Sequence, residues 1–178
     1  MLQGAPNFLM TQNILITGGA GYIGSHISEI LIKDKKKVFI VDNLSTGYKK
    51  LINKKAKFYN VDINNIRKIK SIIIKNKIDS VIHLAASLII NEGEKNPKKY
   101  YKNNVLNTKR LTIACNDTLV RNFIFSSTAA VYKDGKPKVT EKSRLNPKSI
   151  YGKTKLAAEK IIMKNCKKNK INYGILDI

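Results

Sequence analysis

Acidic side chains are scarce in this sequence. Asp and Glu number 12 against 34 Lys and Arg, for a formal net charge of +22. Arginine is scarce as well, confined to Arg67, Arg110, Arg121 and Arg144. A surface built for nucleic acid mixes arginine with lysine and gathers both beside stacking aromatics. Here the lysines are spread through every predicted helix and loop among many Asn and Ile. That spread fits solvated helix faces in a chain from an AT-rich genome better than a polyanion-binding patch, and no nucleic-acid partner is expected. The positive field still raises the local concentration of small anionic ligands.

Cysteine is equally thin on the page. Cys115 and Cys166 lie far apart in sequence, each inside a predicted helix, and match neither metal-ligand spacing nor a redox pair. They read as free thiols of a cytoplasmic protein, and no metal is expected. Long apolar runs are missing too. The longest, Val81 to Ile90, is broken by His83 and Ser87 and falls well short of the ~20 residues that span a membrane. The first residues lack a basic segment followed by an apolar one, so no signal peptide is visible. Met1 to Leu9 match nothing downstream. The expectation is a leader or disordered arm over 1–9, with Met10 as an alternative start, and a single domain over 10–178. With 178 residues, 43% hydrophobic and 26% charged, one domain can bury a real core.

What is present is an alternation of apolar β-rich runs with helix-period segments. Strands are predicted at 13–17, 37–41, 57–61, 80–84, 122–126 and 173–178, with helices over 22–34, 63–75, 97–117 and 151–168. The second helix is expected to turn Ile66, Ile69, Ile73 and Ile74 to one face, and the third carries Val105, Leu106 and Leu111. Asp134 to Asn146 reads as a loop, and Ser149 as the cap of the last helix. Strands alternating with helices imply an α/β fold with a parallel, doubly wound sheet.

Three features carry chemistry. The run Thr17-Gly18-Gly19-Ala20-Gly21-Tyr22-Ile23-Gly24 follows a strand and opens a helix, the context in which a glycine fingerprint has meaning. Gly18 and Gly21 would let the backbone turn and approach a pyrophosphate, and Gly24 would let the helix pack closely. The phosphates would then meet the free N–H groups of the helix start. Asp42 ends the second strand, where a carboxylate accepts from the adenosine ribose hydroxyls and repels a 2′-phosphate, favouring NAD over NADP.

The third feature is Tyr151-Gly152-Lys153-Thr154-Lys155. Tyr151 and Lys155, at i and i+4, share a helix face. A tyrosine titrates near ~10, and a lysine charge about 4 Å away would bring it roughly three units down, to where a general base works at neutral pH. Ser126-Ser127-Thr128 closes the fifth strand at the sheet edge where ligands bind. A hydroxyl there can share a reacting proton with Tyr151. His83, at the end of a buried strand, and His26, in the first helix, have no partner at metal spacing and read as structural.

Taken together, TGGAGYIGSH (17–26), VDNLSTG (41–47), DI (62–63), VIHLAAS (81–87), YYKNNV (100–105), FSSTAAVY (125–132) and YGKTK (151–155) resemble the extended short-chain dehydrogenase/reductases. Among these they are most similar to the UDP-glucose 4-epimerase branch. The resemblance covers nearly everything from Asn13 onward and implies a Rossmann-type domain with NAD as cofactor. It places Tyr22 and Ile23 along the pyrophosphate, and Asp42, Asn43, Leu44, Ser45, Thr46 and Gly47 around the adenosine. Asp62 and Ile63 would meet the adenine. Leu84, Ala85, Ala86, Ser87 and Leu88 would line the nicotinamide half, with Asn103 nearby, and Thr128, Tyr151 and Lys155 would form the catalytic trio.

Thr128 stands where the family often has serine, which keeps the hydroxyl. Leu88 stands where some members place a cofactor-contacting lysine, so that contact is lost. The resemblance also implies that a further strand, sugar-binding residues and a uridine-binding lobe would follow Ile178. This chain therefore reads as truncated at its sixth strand, with the C-terminal substrate lobe absent and turnover of UDP-sugars at a useful rate not expected. The implied reaction is the NAD-dependent 4-epimerisation of UDP-glucose and UDP-galactose, in galactose metabolism. A nucleotide-sugar dehydratase or decarboxylase, and a non-catalytic NAD-binding fragment, remain as alternatives. No membrane partner is implied, and assembly as a homodimer stays open.

Overall fold

The computed structural model describes residues 13–133 and 139–178. The arm expected over 1–9, the alternative start at Met10 and the part of the expected loop at 134–138 lie outside the described residues. The elements in chain order are β1 (Asn13–Thr17), α1 (Tyr22–Lys33), β2 (Lys37–Asp42), β3 (Lys57–Asn60), α2 (Ile66–Lys75), β4 (Ser80–His83), α3 (Ile90–Lys95), α4 (Pro97–Tyr100), α5 (Asn107–Ala114), β5 (Asn122–Ser127), α6 (Ile150–Lys168) and β6 (Asn172–Asp177).

All strand pairs are parallel, in the order β3-β2-β1-β4-β5-β6. The chain winds outward from β1 to β3, then returns through α2 to lay β4 on the other side of β1. That reversal opens a crevice beyond the C-terminal ends of β1 and β4, where such sheets bind ligands. The expected Rossmann-type doubly wound sheet is the fold observed.

Alternation along each strand splits the core in two. Ile14, Ile16, Val38, Ile40 and Ile82 point to one face, under Ile27 and Leu31 of α1. Leu15, Phe39, Val81, Phe123 and Phe125 point to the other, under α2, α5 and α6. Central strands buried on both faces read as near-continuous apolar runs, and this is why β1 and β2 stood out in the sequence.

Several local expectations need correction. α2 begins at Ile66, because Asp62 accepts from the Asn64 N–H at 2.8 Å and makes a turn before Asn65 caps the helix through the Lys68 N–H at 3.2 Å. Its buried residues are Ile69, Ile72 and Ile73, whereas Ile74 is exposed. The long helix expected over 97–117 is not one α-helix. It runs as α4, a π-helical turn over Tyr101–Leu106, and α5, and Leu106 faces outward while Val105 and Leu111 are buried. α3 had no sequence signal strong enough to predict it. Its Gly93 lies against the Tyr100 ring, since a Cβ there would stand 3.1 Å from that ring. The Ser149 cap is as expected, with its hydroxyl accepting from the Gly152 N–H at 3.0 Å.

Candidate functional site

The glycine loop between β1 and α1 is built by close backbone approaches. Gly18 has a φ of +73°, and a Cβ on it would stand 2.7 Å from the Ala85 backbone nitrogen. Gly24 packs on the loop itself rather than on a strand, since a Cβ there would stand 2.5 Å from the Gly18 oxygen. A Cβ on Gly21 would meet only the Gly18 oxygen, at 3.3 Å, and otherwise open space. Gly21 therefore leaves a cradle at the N-terminus of α1 in which a phosphate can approach the backbone. Tyr22 and Ile23 beside it are exposed.

Asp42 is held by two backbone donors, Ala20 at 3.0 Å and Leu44 at 2.8 Å. The carboxylate is thus aimed across the loop with acceptor capacity left for hydroxyls. The turn after it is tight, with Leu44 at φ 59° and Ser45 N–H donating to Asn43 at 3.0 Å. The Asn43 amide donates to Asp62 at 2.8 Å, so the two segments expected around the adenosine are tied to each other. Gly47 sits where a Cβ would stand 2.9 Å from Ala20 Cβ, and the Tyr48 N–H donates to the Ala20 carbonyl at 3.0 Å. Thr46 is exposed on this rim. Ile63, in contrast, is buried in the core, so only its backbone is offered to a ligand.

On the β4 side, Leu84, Ala85, Ala86 and Ser87 are half-buried along the crevice and Leu88 is exposed. Asn103 donates to the Ser87 hydroxyl at 3.0 Å. Its neighbour Asn104, in the π-helical turn, does more. It accepts from the Ser87 N–H at 2.8 Å, donates to the Ser87 carbonyl at 3.0 Å, and donates to Thr154 of α6 at 3.1 Å. Nothing in the sequence sets Asn104 apart from Asn103; the π-helical turn, a feature common at functional sites, does so only in the fold.

The reactive edge is formed where α6 meets the end of β5. Gly152 allows this approach, because a Cβ on it would stand 2.5 Å from the Ala130 oxygen. It too went unremarked in the sequence. The Ile150 N–H donates to Glu94 of α3 at 2.7 Å, fixing the helix start. Tyr151 is thereby brought near Thr128, whose hydroxyl favours the ionised phenol. Thr128 also accepts from the Ala130 N–H at 3.3 Å.

Lys155, only 2% exposed, donates to the Ser126 carbonyl. Its Nζ lies 4.3 Å from the centre of the Phe125 ring and 6.0 Å from that of Tyr151. Burial pulls the Lys155 ammonium down to about 8, with Glu159 opposing. The expected drop of the Tyr151 pKa is not what the protein alone produces. Burial raises the phenol, and the Thr128 hydroxyl lowers it only in part. The physical reason is that Lys155 turns to the Ser126 carbonyl with its Nζ 6.0 Å from the Tyr151 ring centre, so the burial of the phenol outweighs the lysine's pull.

His83 is structural, as expected. Its Nδ1 lies 2.7 Å from the Thr17 hydroxyl and its Nε2 2.9 Å from that of Thr108. Thr108 donates its own proton to the Asn104 carbonyl at 2.7 Å, so it accepts from Nε2–H, and Nδ1 accepts from Thr17. Burial, and then the Lys155 charge, hold this neutral imidazole down at about 3. His26 is exposed on α1 against the Tyr22 ring. Cys115 and Cys166 are free and buried. Burial raises the Cys115 thiol, as does the nearby Cys166, so the fold brings together two residues that the sequence keeps apart. Among the described residues no group of His, Cys, Asp and Glu could hold a metal ion.

Sheet order, glycine loop and the Tyr151–Lys155 face define a nucleotide-cofactor enzyme class, and the family model for the NAD dependent epimerase/dehydratase family matches residues 14–178. The chain belongs to that family. It is 43% identical over 166 residues to the UDP-glucose 4-epimerase of Lactobacillus helveticus, covering 92% of this chain and 50% of that protein. It is 37% identical over 172 residues to that of Drosophila melanogaster, covering 88% and 49%. The UDP-Glc/GlcNAc 4-epimerase from Campylobacter jejuni superposes with a TM-score of 0.89 at 39% identity, over 93% of this chain and 53% of that one. The UDP-glucose 4-epimerase from Brucella ovis in complex with NAD does so with a TM-score of 0.89 at 35% identity, over 93% and 51%. The chain thus spans about half the length of the relatives it matches. No helix among the described residues is long and apolar enough to cross a membrane.

Proposed function

We propose that the chain is the cofactor-holding part of a UDP-glucose 4-epimerase, with NAD bound across the β1/β4 crevice. The observation that carries this reading is the placement of Tyr151 and Lys155 on one face of α6 against the end of β5, where Lys155 donates to the Ser126 carbonyl with its Nζ 6.0 Å from the Tyr151 ring centre, beside a glycine cradle shaped for a pyrophosphate. Gly18, Gly21, Tyr22, Ile23 and Gly24 take the pyrophosphate. Asp42, Asn43, Leu44, Ser45, Thr46, Gly47, Asp62 and Ile63 take the adenosine, and Leu84, Ala85, Ala86, Ser87, Leu88 and Asn103 take the nicotinamide half. The residues fit NAD better than NADP, since Asp42 points a carboxylate at the place of a 2′-phosphate.

NAD, when bound, supplies the hydride acceptor and donor and a positively charged ring. Tyr151 takes the proton from the sugar 4-hydroxyl oxygen and later returns it. Thr128 accepts from the sugar 4-hydroxyl while its own O–H can donate to the phenolate oxygen, so that the proton passes along the short hydroxyl path to Tyr151. Lys155, its charge buried beside Phe125, favours the ionised phenol electrostatically. The half-buried Leu84–Ser87 wall limits water near the transferred hydride. The same reading places the work in the cytoplasm, in galactose metabolism, where buried thiols such as Cys115 and Cys166 stay reduced. A homodimer would use the outward flank of α5 and the turn before it, where Leu106 and Ile113 are exposed two turns apart.

The test is a single-turnover incubation of the chain with NAD and UDP-galactose, with products followed by proton NMR. Slow conversion to UDP-glucose, within a single turnover and far below a useful steady-state rate, that disappears in Tyr151→Phe is the expected result, because general-base assistance contributes about 10²–10⁴-fold. Unchanged formation in that variant contradicts the assignment of Tyr151. A dehydrated or decarboxylated sugar would favour another reaction of the family, and NAD binding without any turnover a purely cofactor-holding role.

A further inference from the structure

α6 presents Tyr151, Lys155 and Glu159 at i, i+4 and i+8, one above another on a single face. Lys155 and Glu159 hydrogen-bond neighbouring residues of one short run at the end of β5. Lys155 donates to the Ser126 carbonyl, Glu159 accepts from the Ser127 hydroxyl, and Thr128, the next residue of the run, influences the Tyr151 phenol. Glu159 is only 7% exposed, a depth at which carboxylates are found only when paired. Nothing in the proton-transfer scheme above uses it.

We infer that Glu159 is a positioning residue for this site, holding the Lys155 charge in place and fixing the Ser126–Thr128 run against Tyr151. The inference rests on the role proposed for that trio. Two hydrogen bonds along one helix face, Lys155 to Ser126 and Ser127 to Glu159, set the register between α6 and β5 and with it the place of Thr128 relative to the phenol. The carboxylate serves because its charge counters the burial of the lysine, which a neutral hydrogen-bond acceptor would not do.

The charged and titratable groups facing this cluster come from every element around it. Lys160 is on α6 itself. Asp177 of β6 faces Glu159 and accepts from the Tyr132 hydroxyl at 2.6 Å. His83 of β4 faces Lys155. Burial pushes the Glu159 carboxyl up, the Ser127 hydrogen bond opposes this, Asp177 adds to the rise, and Lys155 and Lys160 oppose it. Burial thus drives Lys155 and Glu159 toward neutrality, and each charge resists that drift in the other.

The experiment follows the Lys155 Cε resonance by carbon NMR against pH, assigned by its loss in Lys155→Met. Glu159→Gln keeps the shape and the acceptor for Ser127 but removes the charge. The Lys155 midpoint should fall by at least roughly one pH unit, and Glu159→Asp should recover part of that shift. A Lys155 midpoint unmoved in folded Glu159→Gln overturns the inference. If Glu159→Gln fails to fold, the Glu159 carboxyl resonance is compared between the unmodified chain and Lys155→Met. A higher midpoint without the lysine supports the coupling, and an equal one overturns it. NAD affinity of the unmodified chain is measured alongside. A shifted Lys155 midpoint without NAD binding supports the coupling and overturns only the function assigned to the site, whereas NAD binding with an unmoved midpoint overturns the role of Glu159 alone.

Discussion

Around Gly18 the crevice is walled by backbone. Gly18 approaches Ala85, Gly24 the Gly18 carbonyl and Gly47 Ala20 at distances that leave no room for a Cβ, while Gly21 alone of them faces open space. Around Tyr151 the wall is made of buried polar side chains instead. Asn104, Thr154, Lys155, Glu159 and Ser127 bridge segments that are 17 to 50 residues apart in sequence. The first half tolerates no added bulk at Gly18, Gly24 or Gly47 but needs no particular partner there. The second tolerates changes of size poorly and changes of charge worse, because each member leaves another unpaired when removed. The proposed cofactor holding and proton handling should therefore be separable, with substitutions damaging one without the other.

The largest separation should come from Gly152→Ala. A Cβ 2.5 Å from the Ala130 oxygen forces α6 away from the turn that carries Thr128. Misplacement of this order costs about a hundredfold in rate, while NAD affinity should stay within about threefold. Paired turnover and calorimetric measurements read both, and equal losses in the two would break the comparison. The converse variant is Gly24→Ala, which pushes on the Gly18 oxygen. Overpacking typically costs about 1–3 kcal/mol, so NAD affinity should fall about ten- to a hundredfold with the Lys155 and Tyr151 environments unchanged by NMR.

Acid should unsettle only the side-chain half. His83 is held neutral in the fold at about 3 against an ordinary 6.5. Between those values the unfolded chain binds a proton that the folded chain refuses. Stability is therefore full above pH 6.5 and is lost by about 1.4 kcal/mol per unit as pH falls toward 3. Chemical denaturation across that range should show the slope, and His83→Gln should flatten it.

Both contrasts follow how much of the site was legible in the sequence. The glycine loop, Asp42 and the Tyr151–Lys155 pair could be read because each is a local pattern, set by a strand, a turn and a helix in succession. The strands were legible because buried parallel strands are apolar on both faces. Asn104 could not be read, since nothing distinguishes it from Asn103 until the π-helical turn aims it at Ser87. Gly152 looks like an ordinary residue of the Tyr–Lys motif until α6 is packed on Ala130. The acidity expected for Tyr151 failed for a related reason. Spacing on a helix gives the proximity of Lys155 but not its burial or its bond to Ser126.

The smallest effect is a control outside both halves. Lys77 follows α2 at φ 48°, a left-handed position at a helix end that glycine fills without strain. Lys77→Gly should raise stability by up to about 1 kcal/mol and leave NAD affinity and turnover untouched, as thermal unfolding and calorimetry would show.

The central claim is that the crevice between β1 and β4 holds NAD through the glycine cradle and Asp42. Calorimetric titration of the unmodified chain with NAD and with NADP tests it most directly. The account predicts one NAD per chain, with NADP weaker by at least about tenfold. Equal affinity for the two, or no binding of NAD, would contradict it.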